Sequence, residues 1–188
     1  MAGGFKILLV CTGNICRSPM AEQMLRQKLG NQNHILTDSA GVFALEGKDM
    51  PDEAAASLLR RKYNLSKHSA KQLTADLADQ ADLILTAEQQ HRSDVVRTSP
   101  RANRYTFTLK EFANLNRYLE DPLREEPFDK PKDLHDKVRI TASTRGYAPV
   151  IKDLDLADPY FKPWQAYDET ADSLENLLDE VVKWVANV

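Results

Sequence analysis

The amino-acid sequence predicts an α/β fold in which four buried parallel strands are flanked by helices. Two short, nearly continuous apolar runs, at residues 5–10 and 82–86, indicate strands that are covered on both faces. Segments of helical periodicity alternate with the strand-like segments, which is typical of a parallel sheet with helical connections. A chain of 188 residues suits one domain, so we predict a single domain over residues 1–188.

The predicted elements follow one another as strand, helix, strand. The strands are expected at residues 5–10, 34–38, 82–86 and 104–109, and the helices at 19–29, after Pro51, at 88–96, at 110–119 and at 171–185. Ser18 is expected to cap the first helix, with Pro19 in its first turn and Gly30 at its end. In the helix after Pro51, four residues are expected to face inward: Ala54, Ala55, Leu58 and Leu59.

Residues 120–157 interrupt this alternation. The tract is rich in Asp, Lys and Pro, and its only regular signal is a weak strand-like stretch at 138–141. Connections in compact α/β domains usually run about 2 to 6 residues, so we predict an insertion ahead of the terminal helix.

Composition excludes several classes of protein. The 25 Lys and Arg against 28 Asp and Glu give a net charge of -3, which does not favour binding to nucleic acid or to an anionic membrane. The longest apolar run, residues 7–11, is far shorter than the roughly 20 residues of a membrane-spanning helix, and no signal peptide is recognisable. We therefore expect a cytoplasmic protein that does not insert into a membrane. Two cysteines five residues apart, Cys11 and Cys16, match neither a disulfide framework nor zinc-ligand spacing.

The motif that indicates chemistry lies where the first strand meets the first helix. It reads CTGNICRS over residues 11–18, and Pro19 follows. A loop wrapped around a helix N-terminus directs several backbone N–H groups at one point, which creates a site for a phosphate-sized anion. Gly13 and Asn14 are residue types that tolerate the positive φ such a loop requires. The same field favours a thiolate at Cys11, and the planar guanidinium of Arg17 can bind two phosphoryl oxygens.

At this motif the sequence resembles the low-molecular-weight protein tyrosine phosphatase family. Further matches lie in chain order at DSAG (38–41), HSAKQLT (68–74), DLIL (82–85) and DPYF (158–161). The family's fold is a flavodoxin-like four-stranded parallel sheet flanked by helices, with a phosphate-binding loop, or P-loop, after the first strand. The resemblance thus implies the predicted fold, with residues 120–157 inserted before the general-acid loop.

The resemblance also implies a role for each site residue. Cys11 resembles the nucleophile, Arg17 the residue that holds the phosphoryl oxygens, and Asp158 the general acid. The remaining loop positions resemble the substrate-binding residues Thr12, Gly13, Asn14, Ile15, Cys16 and Ser18. Tyr160 and Phe161 resemble an aromatic wall against the substrate ring, and Ser39 a residue that supports the loop through hydrogen bonds. No metal or other cofactor is implied, and the expected partners are phosphotyrosine-containing proteins.

Several assignments have alternatives at the level of sequence. Asp121-Pro122 competes with Asp158-Pro159 as the acid, although the aromatics and the terminal helix after Pro159 favour the second. Cys16 is either packed beneath the loop or forms a reversible disulfide with Cys11. Tyr160 and Phe161 could anchor the loop to the core, and Ser39 could be an ordinary hydrogen-bonding residue at a strand end. The four histidines, His34, His68, His91 and His135, are expected to be surface residues.

The function that the sequence supports best is metal-independent hydrolysis of phosphotyrosine. Ile15 is the branched residue of the tyrosine-directed family members, whereas those that resemble arginine phosphatases tend to carry threonine there. Phe43 and Leu45 stand where relatives often have a tryptophan, which changes the wall of the site. Arsenate reduction with an external thiol is one alternative, since no cysteine follows Cys16. A non-catalytic redox or phosphate-binding module is the other.

Overall fold

The computed structural model describes residues 4–32, 34–124 and 128–187. The strands in these ranges are Phe5–Cys11 (β1), Ile35–Gly41 (β2), Leu83–Thr86 (β3) and Thr106–Thr108 (β4). The α-helices are Arg17–Leu29 (α1), Asp52–Arg60 (α2), Ala75–Gln80 (α3), Gln89–Thr98 (α4), Leu109–Glu120 (α5), Leu134–Ser143 (α6) and Trp164–Ala186 (α7). Apart from the weak strand-like stretch at residues 138–141, every helix and strand that the sequence predicts is therefore present.

The four strands form one parallel sheet in the order β2-β1-β3-β4, which confirms the predicted fold class. Because all strands run in the same direction, their carboxyl ends lie at one edge of the sheet, where the crevice between neighbouring connections forms ligand sites. Cys11, the last residue of the central strand β1, lies opposite Gly41 of β2, and Val10 lies opposite Thr86 of β3. This register brings the connections after β1, β2 and β3 side by side.

Apolar side chains cover both faces of the sheet. On one face, the odd-numbered apolar residues of β1, such as Ile7 and Leu9, join a core cluster with Met24, Phe112 and Leu178 from α1, α5 and α7. On the other face, the even-numbered residues join a smaller cluster: Leu8, Val10, Ile84 and Val95 are among its members. This two-sided burial explains the continuous apolar run of β1. Within the described ranges, no helix is long and apolar enough to span a bilayer.

Two local predictions fail in the outer helices. In α2 the inward residues are Ala54, Ser57 and Leu58, whereas Leu59 is 57% exposed. Ser57 lies on the same side of the helix as Ala54 and Leu58, whereas Leu59 is rotated away by about 100° from Leu58. The hydroxyl of Ser57 binds the carboxylate of Asp168 at 2.6 Å. The polar Ser57 is therefore buried because it has a hydrogen-bond partner on α7.

The strand-like stretch at residues 138–141 is helical and belongs to α6. The Asp133 side chain caps the helix by accepting a hydrogen bond from Asp136 N at 2.8 Å. One turn later, Lys137 donates to the carbonyl oxygens of Trp184 and Asn187, both at 2.8 Å, at the end of α7. The cap and these tertiary contacts outweigh the weak strand preference of the β-branched residues. Residues 125–127 of the same tract lie outside the described residues.

Candidate active site

The loop after β1 is held by its carbonyl groups. The carbonyl oxygens of Cys11, Thr12 and Gly13 accept hydrogen bonds at 3.0 Å from the backbone N–H groups of residues 42, 43 and 45. The next carbonyl, that of Asn14, lies 2.6 Å from Nε2 of His68. With four successive carbonyl oxygens bound to groups behind the loop, the N–H groups can face the opposite side.

Those N–H groups are the donors of the anion cradle that the motif predicts. In the described part of the chain, no acceptor meets the backbone N–H of residues 12–18, and α1 begins within this segment at Arg17. Asn14 has φ 53°, as the motif predicts, but Gly13 does not have a positive φ. A Cβ added at Gly13 would make only ordinary contacts, so one left-handed residue is enough to turn this loop.

Gly41, at the end of β2, lies directly against the loop. A Cβ at this position would stand 2.5 Å from the carbonyl oxygen of Thr12 and 2.9 Å from Asn14 N. Both distances are well below van der Waals contact, so only glycine lets the second strand approach the loop this closely.

The thiol of Cys11 is buried at the bottom of the loop, 3.0 Å from the hydroxyl oxygen of Ser18. Ser18 is not the predicted helix cap, because α1 begins one residue earlier and Cys16 occupies the cap position without a side-chain bond. The hydroxyl points back to the thiol instead.

A chain of hydrogen bonds fixes the direction of the Ser18 hydroxyl. Lys71 N donates to Asn14 Oδ1 at 2.9 Å, which orients the amide so that its Nδ2 donates to Ser18 Oγ at 2.9 Å and to Ser39 Oγ at 3.0 Å. Ser39 in turn donates to Glu22 at 2.6 Å. Since Ser18 Oγ already accepts from Asn14, its own proton is free to point at the sulfur of Cys11. We call these residues the hydroxyl chain: Ser18, Asn14, Ser39 and Glu22.

Cys16 is a buried thiol next to the same site. Burial, with a smaller effect of the neighbouring Cys11, raises the pKa of Cys16 to about 12, so this residue is neutral near pH 7. Its side chain is 3% exposed, and both cysteines are free in the structure. The structure therefore shows Cys16 packed beneath the loop in its reduced form.

Arg17 is 2% exposed, and its guanidinium group joins three parts of the chain. Its Nη1 forms an ion pair with Glu88 and donates to the carbonyl oxygen of Leu156 at 2.8 Å. Its Nη2 lies 3.0 Å from the carboxylate of Asp158. No described residue accepts a hydrogen bond from Nε, which leaves a buried donor in the wall of the site.

The structure distinguishes the two Asp-Pro pairs. Asp158 lines the same cavity as Cys11 and binds Arg17, and its side chain is 45% exposed. Asp121 lies at the end of α5 and lines a separate cavity with Arg117 and Asn187. Of the two candidates for the acid, the structure therefore places Asp158, and not Asp121, beside Cys11.

A cavity of about 170 Å³ opens above Cys11. Its lining consists of Cys11, Thr12, Gly13, Ile15, Cys16, Arg17, Leu45, Asp158 and Tyr160. Asn14, Ser18 and Ser39 are buried behind the loop as part of the hydroxyl chain. Phe161 is 88% exposed and does not line the cavity; its ring stacks on Tyr160 with a centroid distance of 3.9 Å. Of the two predicted wall residues, only Tyr160 faces the site.

Two histidines expected at the surface contact the loop instead. His68 is buried and binds the Asn14 carbonyl oxygen. His91 is 2% exposed, and its Nε2 lies 2.8 Å from Thr12 Oγ1. Burial lowers the pKa of His91, and the nearby Arg17 adds to this effect while Glu88 opposes it. The spacing of the histidines in the sequence does not predict these contacts, because they depend on how the helices pack against the loop.

Glu88 is a further site residue that the sequence analysis missed. It follows β3 by two residues, at the same sheet edge as the loop, and is the only carboxylate among the described residues that pairs with the Nη1 of Arg17. The sequence does offer a signal for Glu88, since it is an acidic residue just after a buried parallel strand. The carboxyl ends of adjacent parallel strands lie at the same edge of the sheet, so such a residue comes close to the loop after β1.

Comparison with known proteins agrees with this geometry. The family model described as low molecular weight phosphotyrosine protein phosphatase matches residues 6–141. The chain belongs to this family. The low molecular weight protein-tyrosine-phosphatase Ptp of Acinetobacter johnsonii is 38% identical over 120 residues, which is 64% of this chain and 81% of that protein. The protein is thus a phosphatase, as the motif predicts.

Other relatives cover more of the phosphatase. The protein-arginine-phosphatase of Geobacillus stearothermophilus is 31% identical over 179 residues, 95% of either chain. The crystal structure of a low molecular weight protein tyrosine phosphatase from T. tengcongensis has a TM-score of 0.72 at 29% identity, and the match covers 96% of this chain and 99% of that one. Both proteins are similar to this phosphatase over nearly its full length.

Among the described residues, no three His, Cys, Asp or Glu side chains are grouped as metal ligands would be. The only cation that the structure places in the cavity wall is the guanidinium group of Arg17, within the ranges it describes.

Proposed function

We propose that this phosphatase hydrolyses phosphotyrosine in cytoplasmic proteins, without a metal ion, through a cysteinyl-phosphate intermediate on Cys11. One observation carries the proposal: the thiol of Cys11, the free N–H groups of the loop, Arg17 and Asp158 converge on one small cavity. The family membership and the relatives named protein-tyrosine-phosphatases support the same activity.

Substrate binding would use the groups that lack partners in the described residues. The N–H groups of the loop and the Nε of Arg17 are donors without an acceptor among the described residues, and a phosphate dianion offers acceptor oxygens to them. Arg17 is held from behind by Glu88, so the guanidinium plane is oriented before the phosphate arrives. Such preorganised donors stabilise the charge that develops on the phosphoryl oxygens in the transition state.

In the first step, the thiolate of Cys11 attacks phosphorus in line with the tyrosyl oxygen. The S–P bond forms as the P–O bond breaks, and the electron pair of that bond leaves with the oxygen. Asp158, in its protonated form, donates a proton to this oxygen, so tyrosine leaves as a neutral phenol. The Ser18 hydroxyl stabilises the thiolate before attack.

In the second step, the same groups act in reverse. Asp158, now a carboxylate, takes a proton from a water molecule, and the water oxygen attacks phosphorus. The S–P bond breaks, and its electron pair returns to Cys11 as a thiolate that the Ser18 hydroxyl again stabilises. Inorganic phosphate then leaves the loop, and Asp158 is protonated for the next cycle.

The walls of the cavity favour an aromatic substrate. Ile15, Leu45 and Tyr160 place apolar surface around the entrance above Cys11. A phenyl ring between such walls is stabilised by burial and by contact with the ring of Tyr160. Phe161 would extend this surface outward through its stacking on Tyr160.

Phosphoarginine is a second candidate substrate class, because the relative that aligns over 95% of both chains is named protein-arginine-phosphatase. Ile15 favours tyrosine: it is 5% exposed, lines the cavity and offers no hydroxyl to a guanidinium group. The N–H donors of a guanidino group would lack acceptors against an apolar wall, and burying unpaired donors is unfavourable.

The test is phosphate release from a phosphotyrosyl peptide and from a phosphoarginyl peptide in EDTA, measured for the wild type, Cys11→Ser and Asp158→Ala. We expect metal-independent turnover of the first peptide, no turnover by Cys11→Ser, and a loss with Asp158→Ala of roughly 10²- to 10⁴-fold on poor leaving groups. Preference for the phosphoarginyl peptide would mean that the substrate is phosphoarginine and not phosphotyrosine. Absence of turnover on both peptides, with thiol consumption on addition of arsenate, would indicate arsenate reduction instead.

A further inference from the structure

The backbone just before Asp158 is fixed at two points. Leu156 N donates to the carbonyl oxygen of Ala87 at 2.8 Å, beyond the end of β3, and the Leu156 carbonyl oxygen accepts from Arg17 at 2.8 Å. The Leu156 side chain is 3% exposed and belongs to the main core. The residue two positions before the proposed acid is therefore attached both to the sheet and to the phosphate-binding arginine.

The neighbouring side chain makes a third attachment. Asp155 Oδ1 accepts a hydrogen bond from Gln89 N, the first residue of α4, at 2.7 Å. Glu88, the residue in the N-cap position of α4, makes no side-chain cap because its carboxylate is paired with Arg17. Asp155, which lies 66 positions after Gln89 in the chain, thus provides the carboxylate that stabilises the N-terminus of α4.

This arrangement divides two tasks between two carboxylates. Glu88 is free to orient Arg17 because Asp155 caps the helix in its place, and the cap holds the segment that carries Asp158. We propose that Asp155 is a positioning residue for the reaction: its bond to Gln89 keeps residues 155–158 at the sheet edge, with Asp158 in reach of the leaving oxygen. The proposal rests on the function given above, in which Asp158 is the general acid.

A positioning role predicts a specific kinetic signature for Asp155→Ala. Phenyl phosphate needs a proton on its leaving oxygen, whereas the p-nitrophenolate ion leaves without one. Asp158 also acts as the base of the second step, which is the same for both substrates, so the effect on the leaving group is measured in a single turnover. A loosened acid segment should lower the single-turnover rate of phenol release from phenyl phosphate by roughly 2- to 30-fold, the rate factor that corresponds to the free energy lost with a helix cap. The single-turnover rate of p-nitrophenolate release should stay within about twofold of the wild type. Asp155→Asn retains an acceptor oxygen and should restore the wild-type ratio.

Two further variants separate positioning from general loss of stability. Gln89→Pro removes the donor without changing Asp155, and proline is well tolerated as the first residue of a helix. The extended backbone of Glu88 also suits a residue before proline. Gln89→Pro should reproduce the leaving-group effect even where Asp155→Ala fails to fold. Asp133→Ala removes a similar carboxylate cap, that of α6, and should leave the ratio of the two substrates unchanged.

The proposal is overturned if Gln89→Pro keeps the wild-type ratio, if Asp155→Asn behaves like Asp155→Ala, or if both substrates slow equally. These outcomes are distinct from failure of the proposed function. That failure would show in Asp158→Ala itself, whose single-turnover rate of leaving-group release would then fall no more with phenyl phosphate than with p-nitrophenyl phosphate.

Discussion

Replacing Ser18 by alanine most directly tests how the charge of the proposed nucleophile, Cys11, is stabilised. The hydroxyl chain leaves the Ser18 proton directed at the sulfur of Cys11, 3.0 Å away. A hydrogen bond to a charged group contributes about 1.5–3 kcal/mol, and each 1.36 kcal/mol corresponds to a tenfold change in rate. In the proposed mechanism the Cys11 thiolate attacks phosphorus in the first step and is the leaving group of the second, so Ser18→Ala should lower kcat by roughly 10- to 100-fold.

The assay is steady-state hydrolysis of p-nitrophenyl phosphate, with thermal melting recorded for each variant. Ser57→Ala is the matched control, since Ser57 is also a buried serine but donates its hydroxyl to Asp168, away from the cavity. The control should lose stability and retain kcat. Ser18→Thr keeps a hydroxyl and should recover part of the activity. If Ser18→Ala turns over within about twofold of the wild type, the deduced direction of the hydroxyl chain is wrong.

Three further predictions follow from the packing and the charges. Gly41→Ala places a Cβ 2.5 Å from the Thr12 carbonyl oxygen and should lower kcat/KM by about 100-fold. A Cβ at Gly146 meets no atom within 4 Å, so Gly146→Ala should leave kcat/KM unchanged. Steady-state assays of both variants check this. Lys137→Met removes a buried ammonium group together with its two hydrogen bonds, and it should lower the free energy of unfolding by about 3 kcal/mol. Equal urea midpoints for the variant and the wild type would contradict this prediction. The pKa of His91 is lowered in the folded state, so the unfolded chain binds its proton first and stability falls as the pH drops below about 6.5. Urea titrations between about pH 7 and 5 should show a smaller fall for His91→Gln, and an unchanged slope would refute the assignment.

The parts of the structure that the sequence predicts are those encoded locally. The run from Phe5 to Cys11 is apolar throughout, and the turn and helix follow within eight residues, so strand, loop and helix N-terminus could be placed from one continuous segment. The left-handed conformation of Asn14 follows from its side chain. The resemblance to the family adds Asp158, which the aromatics and the terminal helix after Pro159 favour over Asp121.

The parts that the sequence does not predict depend on residues far apart in the chain. The His91 contact with Thr12 spans 79 positions, and the Ser39 contact with Glu22 spans 17. Ser18 satisfies the local rule for a helix cap, yet the thiol of Cys11 provides a partner on the other side. In each case a tertiary partner decides between two conformations that the local sequence permits equally.

The close contact between Gly41 and the loop makes catalysis sensitive to the pairing of the first two strands. Sliding β2 by one residue would bring Ala40 or Val42 opposite Cys11, and the Cβ of either would enter the space now next to the Thr12 carbonyl oxygen. A chain that pairs these strands out of register would thus distort its own phosphate site, even if the sheet remained compact. Recovery of turnover after the protein is diluted from denaturant would then measure the fraction of molecules with the native strand alignment. Circular dichroism would count the misaligned molecules as folded, because their secondary structure is retained.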